Sequence, residues 1–152
     1  MLDVTDIQIL NMLQKEGRTK RSQLAEAVKL SIPSLSERLN KLEEKSVIEG
    51  YHAKLDKKVF GYDIMAFILV VMDSSKHYNE LIKRVKSNPL IIECHSVLGE
   101  GSHMLKAITK NTEALEKLLS EIQAWTGVMA TKTTFVLSTI KETTEIELTN
   151  QK

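Results

Sequence analysis

Residues 18–46, RTKRSQLAEAVKLSIPSLSERLNKLEEKS, constrain the fold more than any other stretch of this chain. Leu35, Leu39 and Leu42 recur at i, i+4 and i+7, one apolar stripe at helical spacing. Ser31 stands where a helix N-cap is wanted, its hydroxyl able to accept a backbone N–H that has no partner inside the helix. Pro33 falls in the first turn, where a missing N–H costs nothing. Ser34, Glu37 and Lys41 lie about 80° or more from the leucine stripe, with Arg38 on its flank. A shorter helix precedes, with Leu24, Ala27 and Val28 directed inward, and Lys29-Leu30 turns the chain between the two. Amphipathic helix pairs also build bundles. Here the tight turn and the polar outer face of the second helix predict a helix-turn-helix, its second helix shaped to enter a DNA major groove. Arg18, Lys20 and Arg21 precede or open the first helix of the pair, within reach of phosphates on that reading.

The 152 residues suffice for one domain or two small ones, and the net charge is only +1. DNA binding must therefore rest on a local patch, doubled by dimerisation, and not on bulk charge. A single cysteine, Cys94, excludes an internal disulfide framework and fits a reducing compartment. The opening MLDVTDIQIL is too acidic for a signal peptide, and the longest apolar run, Ile64–Met72, has the length of a strand. These features predict a cytoplasmic protein with no membrane partner.

Taken in order, residues 3–16 read as a first helix. Asp3 is its N-cap and Asp6 sits in its first turn; Val4, Ile7, Leu10 and Leu13 form the core stripe, and Gly17 follows its end. Residues 1–46 thus predict a three-helix, winged-helix-like DNA-binding domain. In 47–60, Tyr51, Ala53 and Leu55 alternate with polar neighbours, a strand pattern that predicts a hinge strand and connector, exposed and able to pair with another subunit. The stretch 62–73 is apolar on both faces, so helices should cover one and a partner subunit the other. A helix from Ser74/Ser75 to Val85 directs Tyr78, Leu81, Ile82 and Val85 inward. Strand Ile91–Leu98, turn Gly99–Ser102 and strand His103–Thr109 form a hairpin, with Leu98 opposite His103. Asn111 or Thr112 caps a helix carrying Leu115, Leu118, Leu119 and Ile122, Gly127 stops it, and Val128–Ile140 is a last strand. The order β-α-β-β-α-β over 61–141 predicts a ferredoxin-like sheet with two helices on one face, making the whole chain α+β; 142–152 is a polar tail.

Several short stretches carry a family resemblance. They are Leu2-Asp3, Asp6 and Ile9-Leu10; Gly17-Arg18; Leu24-Ala25; Leu30-Ser31; Arg38-Leu39; and Leu42-Glu43. Val47-Ile48-Glu49-Gly50-Tyr51, Leu55-Asp56 and Gly61 follow, then Gly99, Leu105-Lys106, Gly127-Val128, Thr131, Thr133 and Lys141. In this order and spacing the chain resembles the Lrp/AsnC family, the feast/famine transcription regulators, from Leu2 to about Lys141. The resemblance implies a DNA-binding domain followed by a ferredoxin-like RAM domain that dimerises through its sheet and assembles further, typically to octamers. It also implies an effector, usually an amino acid, bound between dimers by the turn after the second strand of that domain. The implied effector residues are Gly99, Glu100, Gly101, Ser102, His103 and Met104. Thr131 and Thr133 are candidate hydroxyl donors to an effector by residue type alone, and equally good strand residues in their own right.

The chain departs from the family pattern in four places. Ser102 takes the position of a common Asp, His103 that of a Tyr or Phe, Lys20 that of a helix-capping Ser or Thr, and Lys29 that of a frequent Gly. A serine offers a ligand ammonium a neutral hydrogen bond, roughly half as strong as the charge-assisted bond of an aspartate. Gly99-x-Gly101 lies in a hairpin and not before a helix, which argues against a phosphate loop. Cys94, His95 and His103 match no metal-ligand spacing, and no catalytic constellation emerges. No cofactor, metal or enzymatic activity is expected. DNA contacts are expected from Arg18, Lys20, Arg21, Ser31, Pro33, Ser34, Glu37, Arg38 and Lys41. The alternative is an architectural protein that wraps DNA without sensing a ligand.

Overall fold

The computed structural model describes residues 2–148. They divide into two compact units: residues 2–54 together with 141–148, and residues 55–140.

The first unit holds three helices, α1 (Val4–Lys15), α2 (Arg21–Ala27) and α3 (Ile32–Glu44). Asp3 caps α1 through a reciprocal box: its side chain accepts from the Asp6 backbone, and the Asp6 side chain accepts from the Asp3 backbone. Ile9, Leu24, Ala25, Leu35 and Leu39 form the core of this unit, with Met12, Leu13, Val28 and Ile48 packed at its edge. Burying each large aliphatic side chain contributes about 1.5–3 kcal/mol. Two expected core residues face solvent instead. Val4 lies in the first turn of α1 and is exposed. Ala27 is exposed in the last turn of α2, and Ala25 takes the inward position beside Leu24.

Residues 47–56 form no strand. Their alternating pattern is present, but a strand needs a ladder partner, and none pairs with them among the described residues. The tail from residue 141 belongs with the first unit. The Gln14 carboxamide accepts from the Ile146 N–H at 2.8 Å and donates to the Ile146 carbonyl at 3.1 Å, and Lys54 pairs with Glu142 at 3.0 Å.

The second unit is the four-stranded antiparallel sheet, in the order β2-β3-β1-β4, with β1 (Ile64–Met72), β2 (Ile91–Ser96), β3 (His103–Thr109) and β4 (Val128–Phe135). Helices α4 (Tyr78–Ser87) and α5 (Thr112–Gln123) complete the β-α-β-β-α-β order. Ile68, Val70, Leu105 and Ala107 of the sheet pack with Leu81 and Val85 of α4, Leu118 and Ile122 of α5, and Trp125. Ile82, expected inward, is exposed on α4. The last strand is shorter than expected; beyond Phe135 its backbone pairing with β1 reduces to Val136 N–H donating to the Met65 carbonyl. Helix α5 ends at Gln123 with Ala124 as its C-cap, before the stop expected at Gly127. Gly127 lies in the connection that follows, at φ +82, where a Cβ would meet the His77 ring at 2.4 Å, so only glycine fits.

The β2–β3 register also differs from expectation. Ser96 opposes His103 and His95 opposes Met104, leaving a six-residue connection, 97–102, closed by Val97 N–H to the Ser102 carbonyl at 3.0 Å. Leu98, expected in the strand, is fully exposed in this loop. A tight turn at 99–102 would have placed Leu98 against His103, but Ser102 donates its N–H to Val70 of β1 at 2.9 Å and holds the loop to the neighbouring strand.

Candidate nucleic-acid interface and ligand-binding turn

Helix α3 begins as expected. Ser31 Oγ accepts from the Ser34 N–H at 3.2 Å, and Pro33 occupies the first turn. The two helices of the pair end alike. After α2, Leu30 N–H donates to the Ala25 carbonyl and Lys29 N–H to that of Glu26; after α3, Val47 N–H donates to Leu42 and Ser46 N–H to Glu43. Both endings are Schellman motifs, and each places a non-glycine residue in the left-handed region, Lys29 at φ 56 and Ser46 at φ 54. Lys20 caps α2 without a side-chain acceptor; the Gln23 side chain accepts its N–H instead.

With Leu35, Leu39 and Leu42 buried, Ser31, Pro33, Ser34, Glu37 and Lys41 stand exposed along one side of α3. Glu37 and Lys41 pair at 2.6 Å along the helix, and this pairing holds the Glu37 carboxyl below its usual range. Arg18, Lys20 and Arg21 are exposed, and Arg21 donates to Ser36 of α3 at 3.2 Å. Arg38 departs from expectation. Its guanidinium faces α1, donating to Asp3 at 2.7 Å and Asp6 at 2.8 Å, with the side chain one-third exposed. A guanidinium already engaged by two carboxylates is not the free base-reading fork expected of it. Tyr51 was not expected at this surface; its hydroxyl donates to Glu43 at 3.0 Å, and burial, then this bond, pushes its pKa up.

The expected effector residues do not gather on one side of the sheet. His103 and Thr131 both oppose Val70, and Thr133 opposes Ile68, so all three share the helix-covered face. Met104 opposes Leu69 and looks the other way. His103 is a core residue, not a ligand-facing one: it is 4% exposed, its ring meets Tyr78 of α4 edge-on at 4.8 Å, and burial lowers its pKa. Ser102 Oγ lies 2.9 Å from His103 Nδ1 and 3.3 Å from the Val70 carbonyl, so its hydroxyl is used within the fold. Thr131 accepts from Gln123 of α5 at 2.9 Å. Glu100 pairs with Lys132, which lowers the Glu100 pKa. Gly99 sits at φ +139, and a Cβ on Gly101 would meet Leu69 at 2.6 Å, so the loop lies close against β1. Cys94 is half-buried, and burial raises its thiol pKa. No group of three or more metal-ligating side chains occurs among the described residues.

A helix-turn-helix unit joined to a βαββαβ unit defines a class, the two-domain transcriptional regulators. A profile described as winged helix-turn-helix DNA-binding matches residues 2–49, and one described as Lrp/AsnC ligand binding domain matches residues 65–146. The chain is 35% identical over 147 residues to the HTH-type transcriptional regulator FL11 of Pyrococcus horikoshii, covering 97% of each. It superposes with a TM-score of 0.91 and 30% identity on a transcriptional regulator of Neisseria meningitidis solved with L-Met, covering 97% of each chain. A feast or famine regulatory protein of M. tuberculosis, complexed with L-methionine, superposes with a TM-score of 0.89 at 27% identity, covering 96% of this chain and 99% of that one. The chain belongs to the Lrp/AsnC family of DNA-binding transcriptional regulators, which are not enzymes.

Proposed function

We propose that this regulator acts in the cytoplasm as a homodimer that places two α3 helices in successive major grooves. On this reading the dimers assemble to an octamer or similar form, and an amino acid or related metabolite shifts that assembly. The observation that carries the DNA reading is the side of α3 left uncovered: Ser34, Glu37 and Lys41 are exposed while the leucines of the same helix are buried. Ser31 and Pro33 at the helix start, and Arg18, Lys20 and Arg21 beside it, supply phosphate and backbone contacts. Half-sites would then lie about one helical turn, or a multiple, apart. The effector reading draws on the two relatives solved with methionine and on the 97–102 loop, with Gly99, Glu100, Gly101 and Ser102, followed by Met104 at the start of β3. Thr131 and Thr133, on the helix-covered face of the far edge strand β4, stand apart from Met104 and are not part of this reading. Binding shifts DNA affinity only as far as the ligand discriminates between two states.

One observation favours the architectural alternative. Ser102 is spent on Val70 and His103, and Glu100 on Lys132, so no unpaired carboxylate of this loop awaits a ligand ammonium. Thermal unfolding across the twenty amino acids at fixed protein concentration separates the two. A ligand at about a hundredfold its Kd stabilises the fold by about 2.7 kcal/mol. Methionine or another apolar amino acid raising Tm, and changing affinity for an in vitro selected DNA site, supports the effector reading. Silence across the set, with DNA binding intact, leaves the architectural one.

A further inference from the structure

We propose that Arg38 is a positioning residue for DNA recognition, clamping the recognition helix to the capped N-terminus of α1 without touching DNA itself. The proposal rests on the reading of α3 as the helix that enters DNA. Four oxygens carry it. Asp3 Oδ1 accepts from the Asp6 N–H at 2.8 Å, and Asp6 Oδ2 accepts from the Asp3 N–H at 3.0 Å. The remaining oxygen of each carboxylate, Asp3 Oδ2 and Asp6 Oδ1, accepts from the Arg38 guanidinium. The backbone of α1 thus orients both carboxylates, and Arg38 binds a pair of acceptors that is already fixed.

The charge count argues against a DNA contact at this side chain. Two carboxylates and one guanidinium sum to −1, so the cluster repels a phosphate. Arg38 also lies on the flank of α3, between the buried leucines and the exposed side that bears Ser34, Glu37 and Lys41. Apolar contacts of the buried leucines are non-directional, whereas the two charge-assisted hydrogen bonds of Arg38 fix an orientation. Base-edge hydrogen bonds tolerate a displacement of only about 0.5 Å or 10–20°. A clamp of fixed geometry limits such displacement.

Substitution by asparagine tests this without removing the α1 cap. An asparagine at position 3 or 6 keeps its one carbonyl oxygen on the backbone N–H, as a good N-cap residue does. Its NH2 group is then turned to Arg38, which it cannot accept from. The experiment measures affinity of the full chain for a DNA site selected in vitro, across a range of salt concentrations. The variants are R38A, R38K, the pair D3N/D6N, the triple variant, and S34A/K41A as a check on the helix. We expect R38A and D3N/D6N to weaken binding by similar factors, roughly 3- to 30-fold. The triple variant should lose no more than either, R38K should recover part of the loss, and the salt slope should stay that of the wild type. A slope reduced by about one in R38A would mean that Arg38 neutralises a phosphate and would overturn the proposal. So would relaxed preference at one base position, or D3N/D6N binding as tightly as the wild type. If S34A/K41A weakens binding while R38A does not, the clamp is wrong and the reading of α3 stands. If neither weakens binding, the reading of α3 itself fails, and the clamp with it.

Discussion

His103 shows how one side chain can change role between sequence and structure. By position in the chain it belongs to the effector turn, yet it is buried under Tyr78 with its Nδ1 against Ser102. Burial favours the neutral ring and lowers its pKa. The unfolded imidazole titrates at its ordinary value, so as pH falls the unfolded state takes up the proton first. The stability this histidine contributes is therefore present above the ordinary histidine pKa. It is lost as pH falls through the depressed folded value. The midpoint of urea unfolding should drop between about pH 7.5 and about pH 5.5, and drop less in His103→Phe, which keeps a ring against Tyr78 but cannot be protonated. Equal drops in both proteins would place the titrating group elsewhere. Alternation along a strand correctly separates His103 from Met104, but no local pattern says which of the two faces the helices will cover.

At the scale of elements, local signals located the helices of the first unit well, because caps and stripes are properties of short segments. Asp3, Ser31 and Asn111 cap α1, α3 and α5 as their spacing predicts. The two Schellman endings add strain. A left-handed non-glycine residue costs roughly 1 kcal/mol, and Lys29 and Ser46 each adopt that conformation. Lys29→Gly should thus stabilise the first unit by up to about 1 kcal/mol in chemical denaturation, since its φ of 56 suits glycine. A destabilised variant would show that the turn is not held left-handed in solution. The segment 47–56 is the instructive miss. Alternating residues describe what a strand would look like, but strand formation also requires a partner backbone, which lies outside any local window. The hairpin register failed for a related reason: the tether from Ser102 to Val70 comes from a third strand.

For the whole molecule, the side of the sheet away from the helices remains to be explained. Phe67 is 37% exposed there, beside Leu69 and Met104, with Lys106 and Glu93 paired at 2.8 Å across the neighbouring strands. On the dimer reading this side meets a second copy. Phe67→Asp should then shift the protein to a smaller species in sedimentation while its circular dichroism stays that of the wild type. An unchanged sedimentation coefficient would place the dimer contact elsewhere. The helix-turn-helix, the β-α-β-β-α-β order, the caps of α1, α3 and α5 and the family were all legible in the chain, because each follows from residue spacing within or between short segments. That Arg38 turns to Asp3 and Asp6, that His103 enters the core, and that the tail from residue 141 bonds to Gln14 emerges only in the folded chain. These depend on which distant groups meet: a charged or polar side chain settles where its partners satisfy it at least cost of desolvation, and spacing along the chain does not encode that choice.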